Sequence, residues 1–371
     1  MKEKTSNPKG NRFRSFQSYK SSKGIKEVLK VDNFRKLWIG QIFSQLADKF
    51  YIVFMVYLIA QYWIGDTPQD NEQLTGLANT FRIDFETRAQ AITLLATGVY
   101  AVNTLPAILF GSFAGVSSDR WPKRRIMVLS NGLRGLLVLL VPMCLLPGPI
   151  WIGISWGYWA ILAITFFESI LTQFFAPAEQ TSIPLLIPKE NLLAANSLYQ
   201  STSMSATIIG FAIGEPILRI FKESFSAIGI KGGEFLLLPF CYGVSAIILS
   251  KIQLIESQKK ECKKTYWREI IDGLRVLRNT HTVRGAILNL VLLYSLLAAL
   301  YVLSIGLASK ISQLGPTQFG TLLAMSGVGM ASGALVIAQF GHRVNTKFLS
   351  SIGLGIISCS LILLGNAQGI L

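Results

Sequence analysis

Nine long apolar runs alternate with short polar connections along the chain, at approximate limits 37 to 63, 89 to 114, 126 to 146, 151 to 175, 193 to 219, 235 to 251, 285 to 308, 317 to 340 and 348 to 367. None alternates apolar and polar residues with the period of two that a half-buried strand requires. A helix rises about 1.5 Å per residue, so about 20 apolar residues cross a hydrocarbon layer of about 30 Å. In lipid only helices and closed barrels satisfy their own backbone polar groups, and unalternating runs of this length exclude the barrel. The expected fold class is therefore an all-α integral membrane protein with about nine transmembrane helices. The LPGP turn at Leu146 to Pro149 makes a helical hairpin of the third and fourth runs.

Polar segments divide the chain further. Residues 1–36 form a basic tail, 37–251 a bundle of six helices, 252–284 a linker, and 285–371 a second group of three helices. Between Ile64 and Arg88 the connection is acidic, with Asp66, Asp70, Glu72, Asp84 and Glu86 against two arginines. In the linker, Trp267, Ile270, Ile271, Leu274 and Leu277 recur at helical spacing while Arg268, Asp272, Arg275 and Arg278 take the other face. That pattern predicts an amphipathic helix lying on the membrane surface. Trp151, Trp156, Tyr158 and Trp159 gather at one end of the hairpin and read as an interfacial aromatic belt.

Composition agrees with this picture: of 371 residues, 51% are hydrophobic and only 15% charged. A net charge of +15 would suit nucleic acid if the basic residues covered one face of a compact module, but here they follow the topology. The tail and every second connection hold 27 Lys and Arg, the remaining connections 6. The positive-inside rule then places the N-terminus in the cytoplasm, and a plasma or inner membrane is the expected location. Cys144, Cys241, Cys262 and Cys359 show no paired spacing and read as packing residues. The chain has no phosphate-binding G-x-x-x-x-G-K-[ST] loop and no H-E-x-x-H zinc motif, and His281 and His342 lie far apart. Neither an enzyme nor a cofactor or metal site is expected.

One stretch breaks the apolar pattern sharply. In GSFAGVSSDRWPKRR, Gly111 to Arg125, small residues give way to Asp119, Arg120, Lys123, Arg124 and Arg125 between the second and third runs. Topology alone explains the basic residues but not Gly115 and Asp119. Small residues here are expected to let helices approach closely. The stretch resembles the G-x-x-x-D-R-x-G-R-R pattern of the major facilitator superfamily, with Gly115, Asp119, Arg120 and Arg124 in its positions and Pro122 where glycine is usual. A second block, FFAPAEQTSIPLLIPKENLLAANSLYQ from Phe174 to Gln200, is similar to the branch containing enterobactin exporters and macrolide efflux pumps, as is NFRKLWIGQIFSQLADKF from Asn33 to Phe50. Pro177, Pro184 and Pro188 are expected to interrupt helix in the second block. Gly210, Gly214 and Pro216, in IIGFAIGEPIL, partly match the glycine and proline motif of antiporters in the superfamily; helix packing and a kink explain them equally.

The resemblance implies a secondary transporter that works by alternating access, with Gly115, Asp119, Arg120 and Arg124 gating the contact between two helical halves. Ionisable residues inside spans are costly and face a cavity or a partner. Here they are Asp48, Lys49, Arg134, Glu168 and Glu215, with Asp48 about 18 Å into its span. Two readings stand open. Asp48 or Glu168 carries a proton, with Arg134 or Lys49 as a switching partner, or the same groups form a permanent structural ion pair. Tyr51, Tyr57, Tyr100, Phe166, Phe167, Tyr294 and Tyr301 are candidate cavity aromatics whose alternative is plain packing.

Full members of the superfamily carry twelve helices, so the resemblance implies that about three are missing here. Gly341 to Lys347 occupies the place of the charge knot in the second half but lacks the aspartate. The expected function is proton-coupled export of a small amphipathic molecule. The alternatives are a truncated or non-transporting scaffold and a lysophospholipid-type transporter. Expected partners are the substrate, the bilayer, protons and a missing partner chain or oligomer; nucleic acid is not among them.

Overall fold

The computed structural model of the chain describes residues 21–64, 88–151, 154–254, 278–310 and 318–340, with scattered positions between 268 and 275 and between 351 and 362. The acidic connection after Ile64 and the segment Gly341 to Lys347 lie outside the described residues. So does most of the amphipathic segment, although Arg268, Ile271, Arg275 and Arg278 from it are helical. The helices are α1 Ser21–Lys30, α2 Asp32–Leu58, α3 Arg88–Arg120, α4 Lys123–Leu139, α5 Trp156–Leu186, α6 Leu192–Ala227, α7 Leu237–Ser250, α8 His281–Lys310 and α9 Phe319–Phe340. A π-turn, Ile59–Trp63, prolongs α2, and a 3-10 turn, Val141–Leu145, prolongs α4. Strands β1 Ile150–Trp151 and β2 Ile154–Ser155 pair antiparallel before α5, with Ile150 opposite Ser155.

Six stretches among the described residues are long and apolar enough to cross a membrane: Asp32–Trp63, Ala89–Arg120, Lys123–Leu145, Trp156–Leu186, Lys189–Ala227 and Gly233–Ser250. They fall on the first six predicted spans. Shorter apolar helical stretches, Ala298–Ala308, Phe319–Gly333 and Ser351–Ser360, fall in the other three.

Several boundaries differ from expectation for local reasons. α5 runs through Pro177 and Pro184 to Leu186 instead of stopping near 175, and only Pro188 lies outside it. Each proline removes one backbone donor, a loss that a helix packed among neighbours tolerates without ending. Thr181 and Ser182 hydroxyls donate to the carbonyls of Pro177 and Ala178, both at 2.7 Å, in this turn. The charge knot is also mostly helix. α3 continues to Arg120, and Trp121 and Pro122 are the whole connection to α4, with Pro122 extended at φ −60°, ψ 112° as its N-cap. Part of the basic tail belongs to the fold, since Val28 of α1 is fully buried against the bundle. In the aromatic belt, Trp151 is exposed but Tyr158 is buried, donating to the Leu95 carbonyl at 2.9 Å.

Helices in lipid gain little from hydrophobic burial against one another, so close packing and polar contacts must hold them together. α2 lies at the centre of the first bundle, against α6 and α7, while α4 packs on α5 and α7 and α3 on α5. A Cβ added at Gly210 would meet the Lys49 Cβ at 2.6 Å, and one at Gly214 would meet Val53 at 3.0 Å. These two glycines set the α2–α6 distance. α9 packs on α6, and Tyr301 of α8 stacks on Tyr100 of α3 with ring centroids 4.4 Å apart.

The core divides into two apolar clusters. One is built from Ala47 to Ile64 of α2 with Val138 of α4, Ile161 and Ile164 of α5 and Leu238 of α7. The other joins Val28, Phe34 and Leu37 to Ile126 and Met127 of α4, Phe175 and Ile183 of α5 and Leu249 of α7. Between them, on four helices, lie buried Gln41 and Ser44, then Ser130, Asn131 and Arg134, then Thr165, Glu168 and Ser169, then Ser245. A polar layer thus separates two apolar ones.

Candidate functional site

Helical periodicity creates that layer. Gln41, Ser44, Asp48 and Tyr51 recur on one face of α2 at spacings of three and four. Asn131 and Arg134 do the same on α4, Glu168 and Thr172 on α5, and Tyr242 and Ser245 on α7. Where the four faces meet, each polar group finds its partner on another helix.

Arg134 is the hub and is fully buried, at 0% exposure. Its Nη1 donates to Asp48 Oδ1 at 2.8 Å and to Thr172 Oγ1 at 3.3 Å, and stands 4.0 Å from Glu168 Oε1. Nη2 donates to Ser44 Oγ at 3.2 Å and to Asn131 Oδ1. The guanidinium plane lies between the rings of Phe175 and Tyr242, at 4.7 and 4.8 Å. Cation–π contact of this kind replaces part of the lost hydration. Asn131 Nδ2 donates to Ser245 Oγ at 2.7 Å, and Ser245 in turn to the Gly40 carbonyl at 2.7 Å, which fixes the amide orientation.

The two carboxyl groups share more than the arginine. Tyr242 Oη lies 2.8 Å from Asp48 Oδ1 and 3.0 Å from Glu168 Oε1. A phenol has a single proton to donate. It satisfies one carboxylate, and the second short O···O contact becomes a hydrogen bond when the other carboxyl is protonated and donates back to the phenol oxygen. One guanidinium against two carboxyls leaves the same remainder: the cluster is neutral with one added proton and negative without it. Glu168 is nearly buried while Asp48 keeps a side-chain exposure of 27%. Tyr51 Oη and Thr165 Oγ1, 2.8 Å apart, close the layer on the side away from α1.

The other sequence candidates lie elsewhere. Lys49 is on a different face of α2, its Nζ 6.0 Å from the centroid of Phe211, and makes no ion pair among those described. Glu215 is bound to Arg219, one turn along α6, at 2.8 Å. Both border an open cleft of about 380 Å³ with Tyr57, Gln61, Lys222, Glu223 and Ser226. In the charge knot, Asp119 and Arg124 are exposed and Arg120 is half-buried. Ala114, Ser117 and Ser118 are its buried small residues, whereas a Cβ at Gly111 or Gly115 would meet nothing within 4 Å. The close approach expected at these two glycines is not made within the described residues.

Sequence reasoning overlooked Glu179 and Tyr242. Glu179 follows Glu168 by eleven residues, three turns along the same face, but lies beyond the limit expected for the fourth span. Tyr242 sits in an apolar run with no charged neighbour to mark it.

Comparison with known proteins completes the description. The profile of the Major Facilitator Superfamily matches residues 37–371. The chain is 27% identical over 272 residues to the Bacillus subtilis protein named Uncharacterized MFS-type transporter YfiS, covering 71% of this chain and 58% of that one. It is 23% identical over 304 residues to YkuC of the same organism, covering 77% of this chain and 64% of the relative. Macrolide efflux protein A of Enterococcus faecalis is 23% identical over 177 residues, 47% of this chain and 50% of its own length. The chain therefore spans about six-tenths of the length of the first two relatives. From the family match, the long apolar helices and their packing, the chain belongs to the Major Facilitator Superfamily and is an integral, multi-pass membrane protein.

Proposed function

We propose that the protein moves a small amphipathic molecule outward across the plasma or inner membrane by alternating access, coupled to protons that bind at the Asp48–Arg134–Glu168 cluster. The observation that carries the reading is the shared phenol: one Tyr242 hydroxyl faces two carboxyl oxygens beside a single guanidinium. Such a cluster exchanges a proton at small electrostatic cost, since the proton changes which carboxyl Arg134 must neutralise. A change in the helix positions alters the 4.0 Å gap between Arg134 and Glu168, and with it the proton affinity. That is how transport and protonation couple. The name of the efflux relative supports export, and the charge bias of the connections supports a cytoplasmic N-terminus. Gating by Gly115, Asp119, Arg120 and Arg124 belongs to the same proposal, with the exposed face of α3 as the surface that opens and closes.

One observation favours the second reading, a permanent structural ion pair: Arg134 is fully buried and bonded to two other helices, α2 and α5. Accumulation of a panel of labelled amphipathic compounds in everted vesicles separates the two. Proton-coupled export predicts accumulation above the vector control that a protonophore abolishes. Accumulation equal to the control for the whole panel supports the structural reading.

A further inference from the structure

We infer that Glu179 is a second proton-binding site, holding its proton as a neutral carboxylic acid at the end of the bundle nearer α1. The inference deepens the proposed function and rests on the reading of the central cluster as a proton site. Glu179 is 1% exposed. Its Oε2 accepts from Tyr199 Oη of α6 at 3.0 Å, while Oε1 is buried and has no hydrogen-bond partner among the described residues. The charged and titratable groups acting on it are Tyr199 from α6, Asp48 from α2 and Arg134 from α4. Arg134, the one cation among them, is already engaged with Asp48 at 2.8 Å. An ionised Glu179 would be a buried charge with one oxygen unsolvated, a costly state in a low-dielectric interior. A protonated one needs no counter-ion, and its remaining oxygen still accepts from the tyrosine.

Its position gives the proton a use. Glu179 lies about 16 Å along α5 from Glu168, three turns toward the end that carries the charge knot. A buried polar stripe links the two levels: Arg134 to Ser44 at 3.2 Å, then Gln41 one turn below, whose Nε2 donates to the Tyr199 carbonyl at 3.0 Å. Tyr199 in turn holds Glu179. Counted together, Asp48, Glu168 and Glu179 face one buried guanidinium, so electroneutrality takes two protons, one in the central cluster and one here. When the end carrying the charge knot opens, the O–H bond of Glu179 breaks and the proton passes to water there, leaving the carboxylate; the carboxylate is neutralised again by a proton taken from water before that end closes, and no other bond changes.

Infrared difference spectroscopy of the purified full chain, titrated in pH, reads protonated carboxyls directly through their C=O stretch. Glu179→Gln is expected to remove one titrating band and leave the band that Asp48→Asn or Glu168→Gln removes. Tyr199→Phe keeps the carboxyl and is expected to shift the Glu179 band upward in frequency by loss of its donor; it serves if the glutamine variant does not fold. A wild-type spectrum in Glu179→Gln, or no shift in Tyr199→Phe, overturns the inference. Loss of the Glu179 band alone, with Asp48→Asn and Glu168→Gln spectra unchanged, would instead overturn the central-cluster reading and the inference built on it.

Discussion

At the residue scale, the meaning of a charged side chain in this protein depends on which helix face it occupies. Asp48 and Lys49 are neighbours in sequence, yet one enters the buried network and the other lies over Phe211 on α6. The sequence marked both as costly intramembrane groups, and nothing in their order said which would meet Arg134. What was legible was the class of residue, the acids and the arginine inside spans. What was not legible was the uncharged tyrosine between them. Tyr242→Phe tests its weight: the ring stays over Arg134 while the one phenol proton that the two carboxyls share is lost. Hydrogen bonds to charged groups contribute about 1.5–3 kcal/mol, and a loss of that order in resistance to denaturation in detergent is expected. Arg134→Leu should be more severe, because buried Glu168 and partly exposed Asp48 would remain without their cation; a fall of about 3–5 kcal/mol follows if both stay ionised. A smaller fall in acid than at neutral pH would show that protons replace the guanidinium.

At the scale of elements, glycines report which helix faces are occupied. Gly210 sits against the Lys49 Cβ, and Gly320 of α9 lies against the backbone of Phe211. Alanine at Gly210 must push α2 and α6 apart, and overpacking of this kind costs about 1–3 kcal/mol. Alanine at Gly115 meets no neighbour and replaces a poor helix former, so bundle stability is expected to hold or rise by up to about 1 kcal/mol. If Gly115→Ala instead abolishes transport while leaving stability intact, the exposed face of α3 has a partner during the cycle. Thermal unfolding and vesicle transport of the two variants side by side check both statements. The first six spans were legible from apolar length, and the hairpin from LPGP. Their ends were not, because prolines at 177 and 184 read as breaks while α5 runs on through both. That misplaced end is also what hid Glu179.

For the whole molecule, the arrangement is a layered bundle in which two apolar clusters enclose a polar one, and the polar one holds more acid than base. Family membership was legible in the charge knot and in the block after the fourth span, because those motifs are local in sequence. The proton ledger was not, since it depends on four helices meeting at one level. The most direct test of that ledger uses proteoliposomes with an internal pH dye and an imposed pH gradient, to which an exported compound is added. Wild type should dissipate the gradient on addition, while Asp48→Asn and Glu168→Gln should respond no more than empty liposomes. Undiminished dissipation in both variants would contradict the account and leave the cluster as a structural ion pair.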